Sequence, residues 1–341
     1  MRYEPLGESG LKVSPLCLGT MMFGDRTDRE EAARIVASAK AAGINFIDTA
    51  DVYAKGESER VVGALIGDDR ERWVLATKVA NPTGEGPNER GLSRGHLVRA
   101  LEASLERLDT DYIDIYYLHK DDTATPLAET LRTIDEFLAE GTVRYFALSN
   151  FRAWRIAEVI RLCDEFGMPR PVCVQPYYNA MNRMPEVEVL PACAYYGLGV
   201  VPYSPLARGV LTGKYAPDAP PPEGSRAGRA DKRLMETEFR KESMEHAARL
   251  AGQARRQGIT PGQFAVAWVL ASEIVSSVLA GPRTLVQWEE YLGALAYRWT
   301  PEDEAFVDSL VRPGHPSTPG YSDPAYPFFG RTRAGNPVRS P

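Results

Sequence analysis

Four polar residues stand near the ends of short apolar runs: Asp48 closes Asn45-Phe-Ile-Asp48, Lys78 closes Trp73-Val-Leu-Ala-Thr-Lys78, His119 closes Ile113-Asp-Ile-Tyr-Tyr-Leu-His119, and Tyr53 follows Asp48 by five positions. A free phenol titrates near ~10, too high for ready proton exchange at neutral pH, and an adjacent ammonium lowers it. Lys78 can serve Tyr53 in this way. A buried lysine keeps its charge when a carboxylate pairs with it, which fits Asp48. A neutral imidazole at His119 can hydrogen-bond a carbonyl oxygen and hold it against the phenol. Together the four suit protonation of an oxygen while a hydride arrives at carbon. Singly each has a plainer use, as helix cap, surface lysine, structural histidine or packing tyrosine.

The elements that must position them alternate. Further apolar runs cover 143–149, 172–175, 199–204 and 275–280, with Val13-Ser-Pro-Leu-Cys-Leu18 as the first strand. Helical periodicity fills 29–42, 58–66, 93–108, 126–140, 153–166 and 186–196, then 241–257, 261–271 and a last helix at 284–295. Strand–helix alternation implies a parallel sheet, and eight strands predict a (β/α)8 TIM-type barrel with long active-site loops. Residues 1–13, around Gly7-Glu-Ser-Gly10, read as a short N-terminal β-hairpin that plugs the barrel bottom. The competing doubly wound sheet would carry G-x-G-x-x-G after its first strand, and the sequence has none. One barrel domain is expected over 1–311, followed by a Pro/Gly-rich tail over 312–341 packed on it.

Composition narrows the partners. The 341 residues carry 40 Lys and Arg against 46 Asp and Glu, a net charge of −6, and the Lys and Arg near 226–240 are interleaved with acids. This argues against a nucleic-acid partner. The four cysteines form no C-x-x-C pair, so no metal is expected and the thiols read as reduced, in a cytoplasmic protein. The longest uncharged run, 190–207, is broken by three prolines and two glycines, which argues against a membrane partner. Tyr116-x-x-x-Lys120 lies on a strand rather than the helix such a catalytic pair needs, and Gly209-Val-Leu-Thr-Gly213-Lys214 is one residue short of a P-loop.

Asn45-Phe-Ile-Asp48-Thr-Ala-Asp-Val-Tyr53, with Gly56 and Glu57-Ser58-Glu59, then Thr77-Lys78 and Leu118-His119, resembles the tetrad signature of the aldo-keto reductases, and the likeness runs from about residue 19 to 295. The resemblance implies NADPH (NADP+) as cofactor, with NADH as an alternative, bound without a Rossmann fold. It implies Tyr53 as general acid, Lys78 and Asp48 as its tuning pair, and His119 as the residue that orients the carbonyl of a small-molecule aldehyde or ketone. It also implies cofactor contacts. Gly19, Thr20 and Met21 follow the first strand, and Asp48 belongs to this set as well. Ser149, Asn150 and Gln175 hold the carboxamide, and Tyr203 stacks on the ring. Ser204, Pro205, Leu206, Gly209, Lys214 and Arg226 face the pyrophosphate, and Gly281, Arg283, Gln287 and Glu290 grip the adenosine half.

Arg283 is the candidate for a 2′-phosphate, because a guanidinium forks onto phosphate oxygens. Where the family often has Asn after Glu290, this chain has Tyr291, which could stack on adenine. Met22, Phe23 and Tyr178, with Met21 and the tail aromatics, are expected to wall the substrate pocket. The family includes potassium-channel β subunits that keep the tetrad and turn over slowly, so a cofactor-binding regulatory protein is the alternative. Self-association stays open.

Overall fold

The computed structural model describes residues 1–326; the remainder of the tail, with Phe328 and Phe329, lies outside the described residues. The chain begins with a two-stranded antiparallel hairpin, β1 (Glu4–Pro5) and β2 (Lys12–Val13). The barrel strands then alternate with helices: β3 (Leu16–Gly19), α1 (Arg29–Ala41), β4 (Phe46–Asp48), α2 (Glu57–Ile66), β5 (Val74–Val79), α3 (Arg94–Leu108), β6 (Ile113–Leu118), α4 (Leu127–Glu140), β7 (Val143–Ser149), α5 (Ala153–Phe166), β8 (Cys173–Gln175), α6 (Val189–Tyr196) and β9 (Gly199–Val200). A long excursion carries α7 (Lys232–Thr237), α8 (Lys241–Arg256) and α9 (Pro261–Leu270) before β10 (Val278–Ala280), and α10 (Leu285–Gly293) and α11 (Pro301–Leu310) complete the chain of elements.

Among the described residues the eight strands β3 to β10 form one parallel sheet in which β10 pairs with β3 and each strand from β3 to β8 with its successor. The circle closes through bridges Val200↔Val275 and Tyr203↔Leu279, with Leu279 N donating to Pro202 O at 2.9 Å. The fold is the (β/α)8 barrel.

β5 shows why the strands look uniformly apolar. All six of its residues are buried, because one face meets the helices and the other fills the barrel. Leu75 and Val79 join the outer cluster under the helices, whereas Val74 and Ala76 join the inner cluster with Phe46, Ile115, Tyr117 and Cys173. The hairpin adds Leu6 and Val13 to that inner cluster. Its turn residue Gly7 has φ +59°, and a Cβ there would lie 2.6 Å from Gly197 O and Gly199 N, so only glycine lets the hairpin seat against the start of β9.

The elements differ from expectation in several places. The first strand starts at Leu16 rather than Val13, because Pro15 separates it from β2, whose Val13 pairs with Glu4. α7 and α11 were not expected. Each has a clear N-cap, Asp231 accepting from Leu234 N at 2.9 Å and Thr300 in a capping box with Asp303. After α11 the chain returns across the molecule: Ser317 N donates to Met181 O, Asp323 forms a two-pronged ion pair with Arg233 at 2.7 and 3.0 Å, and Arg152 donates to Tyr326 O at 2.7 Å. No helix among the described residues is long and apolar enough to cross a membrane.

Candidate active site

Alternation along the strands decides which side chains meet. Phe46, Ala76, Tyr117, Ala147, Cys173 and Val201 all point into the barrel. Two positions on, the same parity sends Asp48, Lys78, His119, Ser149, Gln175 and Tyr203 into the upper end of the same interior. There all of them but Lys78, which lies beneath the others, border a cavity of 540 Å³.

At its floor Lys78, fully buried, is paired with Asp48 and donates to Thr49 O at 2.6 Å and Tyr53 Oη at 3.3 Å. The second Asp48 oxygen accepts from Gln175 Nε2 at 3.0 Å. Burial opposes the Lys78 charge, but Asp48 and Tyr53 outweigh it and its pKa rises. Burial also raises the Tyr53 phenol, with Lys78 offsetting only part, so the phenol stays protonated at neutral pH. This reverses the lowering expected from Lys78 alone. Tyr53 meets the His119 ring edge-on, centroids 6.0 Å apart.

His119 Nδ1 lies 3.1 Å from the assigned amide nitrogen of Asn81. An amide nitrogen only donates, so Nδ1 accepts and the neutral ring carries its proton on Nε2. Burial, then Lys78 and Lys120, hold the imidazole well below its usual pKa. An unfolded chain protonates this histidine near ~6.5 while the folded one resists, so stability should fall as pH drops below that value, by up to about 1.4 kcal/mol per pH unit. Denaturant melts between pH 7 and 5 should show a slope that is reduced in His119→Asn. An unchanged slope would remove His119 as its source.

The cavity wall then divides by chemistry. Asn150, with φ +59°, donates from its amide to His119 O and Ser149 Oγ, both at 2.9 Å, and accepts from Tyr203 Oη at 2.8 Å. Tyr203 is backed by Tyr177, stacked at 5.5 Å. Gly19, Thr20 and Met21 form the rim after β3, Ser204, Pro205, Leu206 and Gly209 the rim after β9, and Gly281, Gln287 and Glu290 the far end. There Lys214, Arg226 and Arg283 converge. Burial and the neighbouring arginines Arg283, Arg226 and Arg229 depress Lys214, the signature of a cationic cluster with too few anions.

Met22, Phe23 and Tyr178 do not border this cavity. Phe23 N donates to Thr20 O and Thr27 N to Met22 O, both at 2.9 Å, a tight turn that buries the Phe23 ring in the core and leaves Met21 at the mouth. Tyr178 points away, onto Trp268 at 5.0 Å and to Glu186 at 2.8 Å. Tyr326, one of the tail aromatics expected at the wall, lines the cavity; sequence reasoning missed Val52, Asn81, Arg208, Thr212, Arg233 and Leu279, which line it too. Asn81 sits three residues past Lys78, a strand-end position that should have drawn attention; Arg208 and Tyr326 come from loops whose paths local sequence does not set.

Behind Tyr53, Thr77 and Arg107 hold the buried Glu59 at 2.5 and 2.6 Å. Next to them Asp51 is 3% exposed with neither oxygen partnered among the described residues, and burial, then Glu59, pushes its carboxyl up to about 8.

The aldo/keto reductase family model matches residues 15–312, which include every residue of this floor. The chain belongs to the aldo/keto reductase family. Similar proteins within reach of this aldo/keto reductase include a probable voltage-gated potassium channel subunit beta of Oryza sativa subsp. japonica, 36% identical over 94% of this chain and 100% of that one. Another of that description, from Arabidopsis thaliana, is 38% identical over 86% of this chain and 91% of its own. The uncharacterized oxidoreductase YrpG of Bacillus subtilis is 36% identical over the same shares.

Proposed function

We propose that the protein is an oxidoreductase that reduces aldehydes or ketones to alcohols with NADPH, reversibly, and that Tyr53 is its general acid. The observation that carries this is the buried Asp48–Lys78–Tyr53 chain with neutral His119 beside it, at the floor of a cavity large enough for a dinucleotide end and a small carbonyl compound. The residues fit a nicotinamide dinucleotide. Gln175 commits its nitrogen to Asp48 and leaves its oxygen as acceptor for a primary amide; Ser149 and Asn150 flank it, and Tyr203 offers an aromatic face. Lys214, Arg226 and Arg283 supply the cations a phosphorylated ligand needs. When bound, the cofactor supplies the hydride.

The chain's own residues do the rest. His119 Nε2–H hydrogen-bonds the substrate carbonyl oxygen and draws charge onto it. The Tyr53 phenol, protonated in this buried site, gives its proton to that oxygen as negative charge develops. Lys78 stabilises the phenolate left behind, and Asp48 keeps Lys78 charged and fixed. Restoration of the phenol from solvent closes the cycle.

The test is NADPH oxidation followed by absorbance across aromatic aldehydes, short aldehydes and dicarbonyls, with NADH in parallel. Turnover that favours NADPH supports the reading. Arg283→Gln should raise the NADPH Kd about ten- to hundredfold and leave NADH nearly unchanged, the loss of one forked charge-assisted contact. Equal losses for both would place Arg283 elsewhere.

A second reading rests on the two relatives named as channel β subunits, which match over most of the chain. Saturable NADPH binding with no turnover on the panel would favour that cofactor-binding regulatory role.

A further inference from the structure

Tyr53 stands on a turn that most side chains disfavour. It opens the segment Tyr53–Gly56, and the next three residues are all left-handed: Ala54 at φ +47°, Lys55 at φ +58° and Gly56 at φ +90°. Glycine adopts this region freely, whereas a residue with a Cβ is strained there and stays only where its surroundings over-determine the path. Ala54 and Lys55 are two such residues in succession, directly after the proposed proton donor.

What confines them is a closed circuit behind the active-site floor. Gly56 lies against Arg107, from the last turn of α3: a Cβ on Gly56 would come within 2.8 Å of the arginine Cδ and 2.9 Å of its Nε. That Nε donates to Glu59 Oε2 at 2.6 Å, and the other oxygen of Glu59, a fully buried residue in the first turn of α2, accepts from Thr77 Oγ1 at 2.5 Å. Thr77 precedes Lys78, whose ammonium reaches Tyr53 Oη at 3.3 Å. The circuit thus runs from the Tyr53 backbone through Gly56, Arg107, Glu59 and Thr77 back to the Tyr53 hydroxyl. Asp51, whose carboxyl is uncharged at neutral pH, leaves the guanidinium to Glu59. None of Gly56, Glu59, Thr77 and Arg107 borders the 540 Å³ cavity.

We infer that Arg107 is a positioning residue for Tyr53: seated against Gly56 and tied through Glu59 to the strand that carries Lys78, it holds the left-handed turn in place and with it the phenol. The inference rests on the reading of Tyr53 as general acid. Without the guanidinium the turn loses its support, relaxes towards ordinary backbone and carries its first residue, Tyr53, with it. A shift of about 1 Å at the proton donor is enough to slow the chemistry about a hundredfold. The hydride path is untouched, because the residues proposed to hold the cofactor stand on other strands and loops.

The experiment measures the single-turnover rate of NADPH oxidation with an aldehyde that the parent protein reduces, the solvent deuterium isotope effect on that rate, and the NADPH Kd by fluorescence. Arg107→Met alone would leave Glu59 buried with no cation, so the test variant couples it to Glu59→Gln, whose amide oxygen still accepts from Thr77. In this double variant the rate should fall about tenfold or more while the NADPH Kd stays within about twofold. The isotope effect should rise, because only the proton step is misaligned; a general loosening of the fold would lower the rate and leave the isotope effect alone. Arg107→Lys keeps a cation for Glu59 and a stem beside Gly56, and should retain at least about a third of the parent rate. A smaller loss in the double variant overturns the inference, as does an unchanged isotope effect, an NADPH Kd that rises in step with the rate loss, or an Arg107→Lys protein no faster than the double variant. Any of these, alongside an inactive Tyr53→Phe protein, leaves the general acid standing. If the parent reduces no aldehyde, or Tyr53→Phe keeps its rate, the reading of Tyr53 fails first and the inference falls with it.

Discussion

Tyr53→Phe should lower kcat for carbonyl reduction about 10³-fold while NADPH still binds with nearly unchanged Kd. The substitution removes one oxygen and keeps the ring, so the edge-on contact with His119 and the cavity wall survive. What disappears is the group Lys78 reaches at 3.3 Å. Lys78 keeps Asp48 and Thr49 O, so the floor stays satisfied and the protein stays folded. Parallel measurements of NADPH oxidation and of NADPH binding by fluorescence separate chemistry from affinity. A variant with more than a tenth of the original activity would show that the proton comes from elsewhere.

Lys78→Met should be the most damaging change in the barrel. It leaves Asp48, fully buried, as a carboxylate with no cation, a situation that costs about 3–5 kcal/mol. The carboxyl escapes by taking a proton. Burial already raises the Asp48 pKa, and without Lys78 nothing charged opposes that rise. A carboxyl whose folded pKa lies above its unfolded one lends most stability at low pH and loses it as pH rises through the folded value. The variant's deficit should therefore shrink on acidification, opposite in sign to the His119 effect. Pairing it with Asp48→Asn should recover much of the stability at pH 7 and none of the activity. Denaturant melts at pH 5 and 7 decide this; a single variant as stable as the parent at pH 7 would mean the pair is not the buried anchor of the site.

Much of this arrangement is legible without coordinates because strand parity is a rigid rule. Once Asn45-Phe-Ile-Asp48 and Trp73–Lys78 are read as strands of one barrel, period-two alternation brings Asp48 and Lys78 together whatever the loops do. Helix 153–166 is equally plain, with apolar spacing that ends at Gly167 in a left-handed cap. Loops obey no such rule. Met22 and Phe23 are adjacent to Met21, yet one turn of backbone sends Phe23 into the core, and no local pattern distinguishes the three. Tyr326 reaches the cavity only because ion pairs and hydrogen bonds distant in sequence bring the tail back, which is long-range information. The raised Tyr53 pKa was likewise hidden, since the degree of desolvation depends on packing that a sequence does not display.

The closure between β9 and Val275–Ala280 has a dynamic corollary. β6 and β7 share a ladder of five registered pairs, whereas this joint has isolated bridges and passes through Pro202, which has no amide hydrogen to offer. The joint should therefore breathe more readily than the β6–β7 ladder, and its amides around 275–277 should exchange with deuterated solvent faster than those of β6 and β7. Tyr203 and Ser204 stand on one side of it, Gly281 and Arg283 on the other, and both sides face the cavity. A dinucleotide lying across them would act as a rivet, slowing exchange there by an amount set by its affinity and concentration.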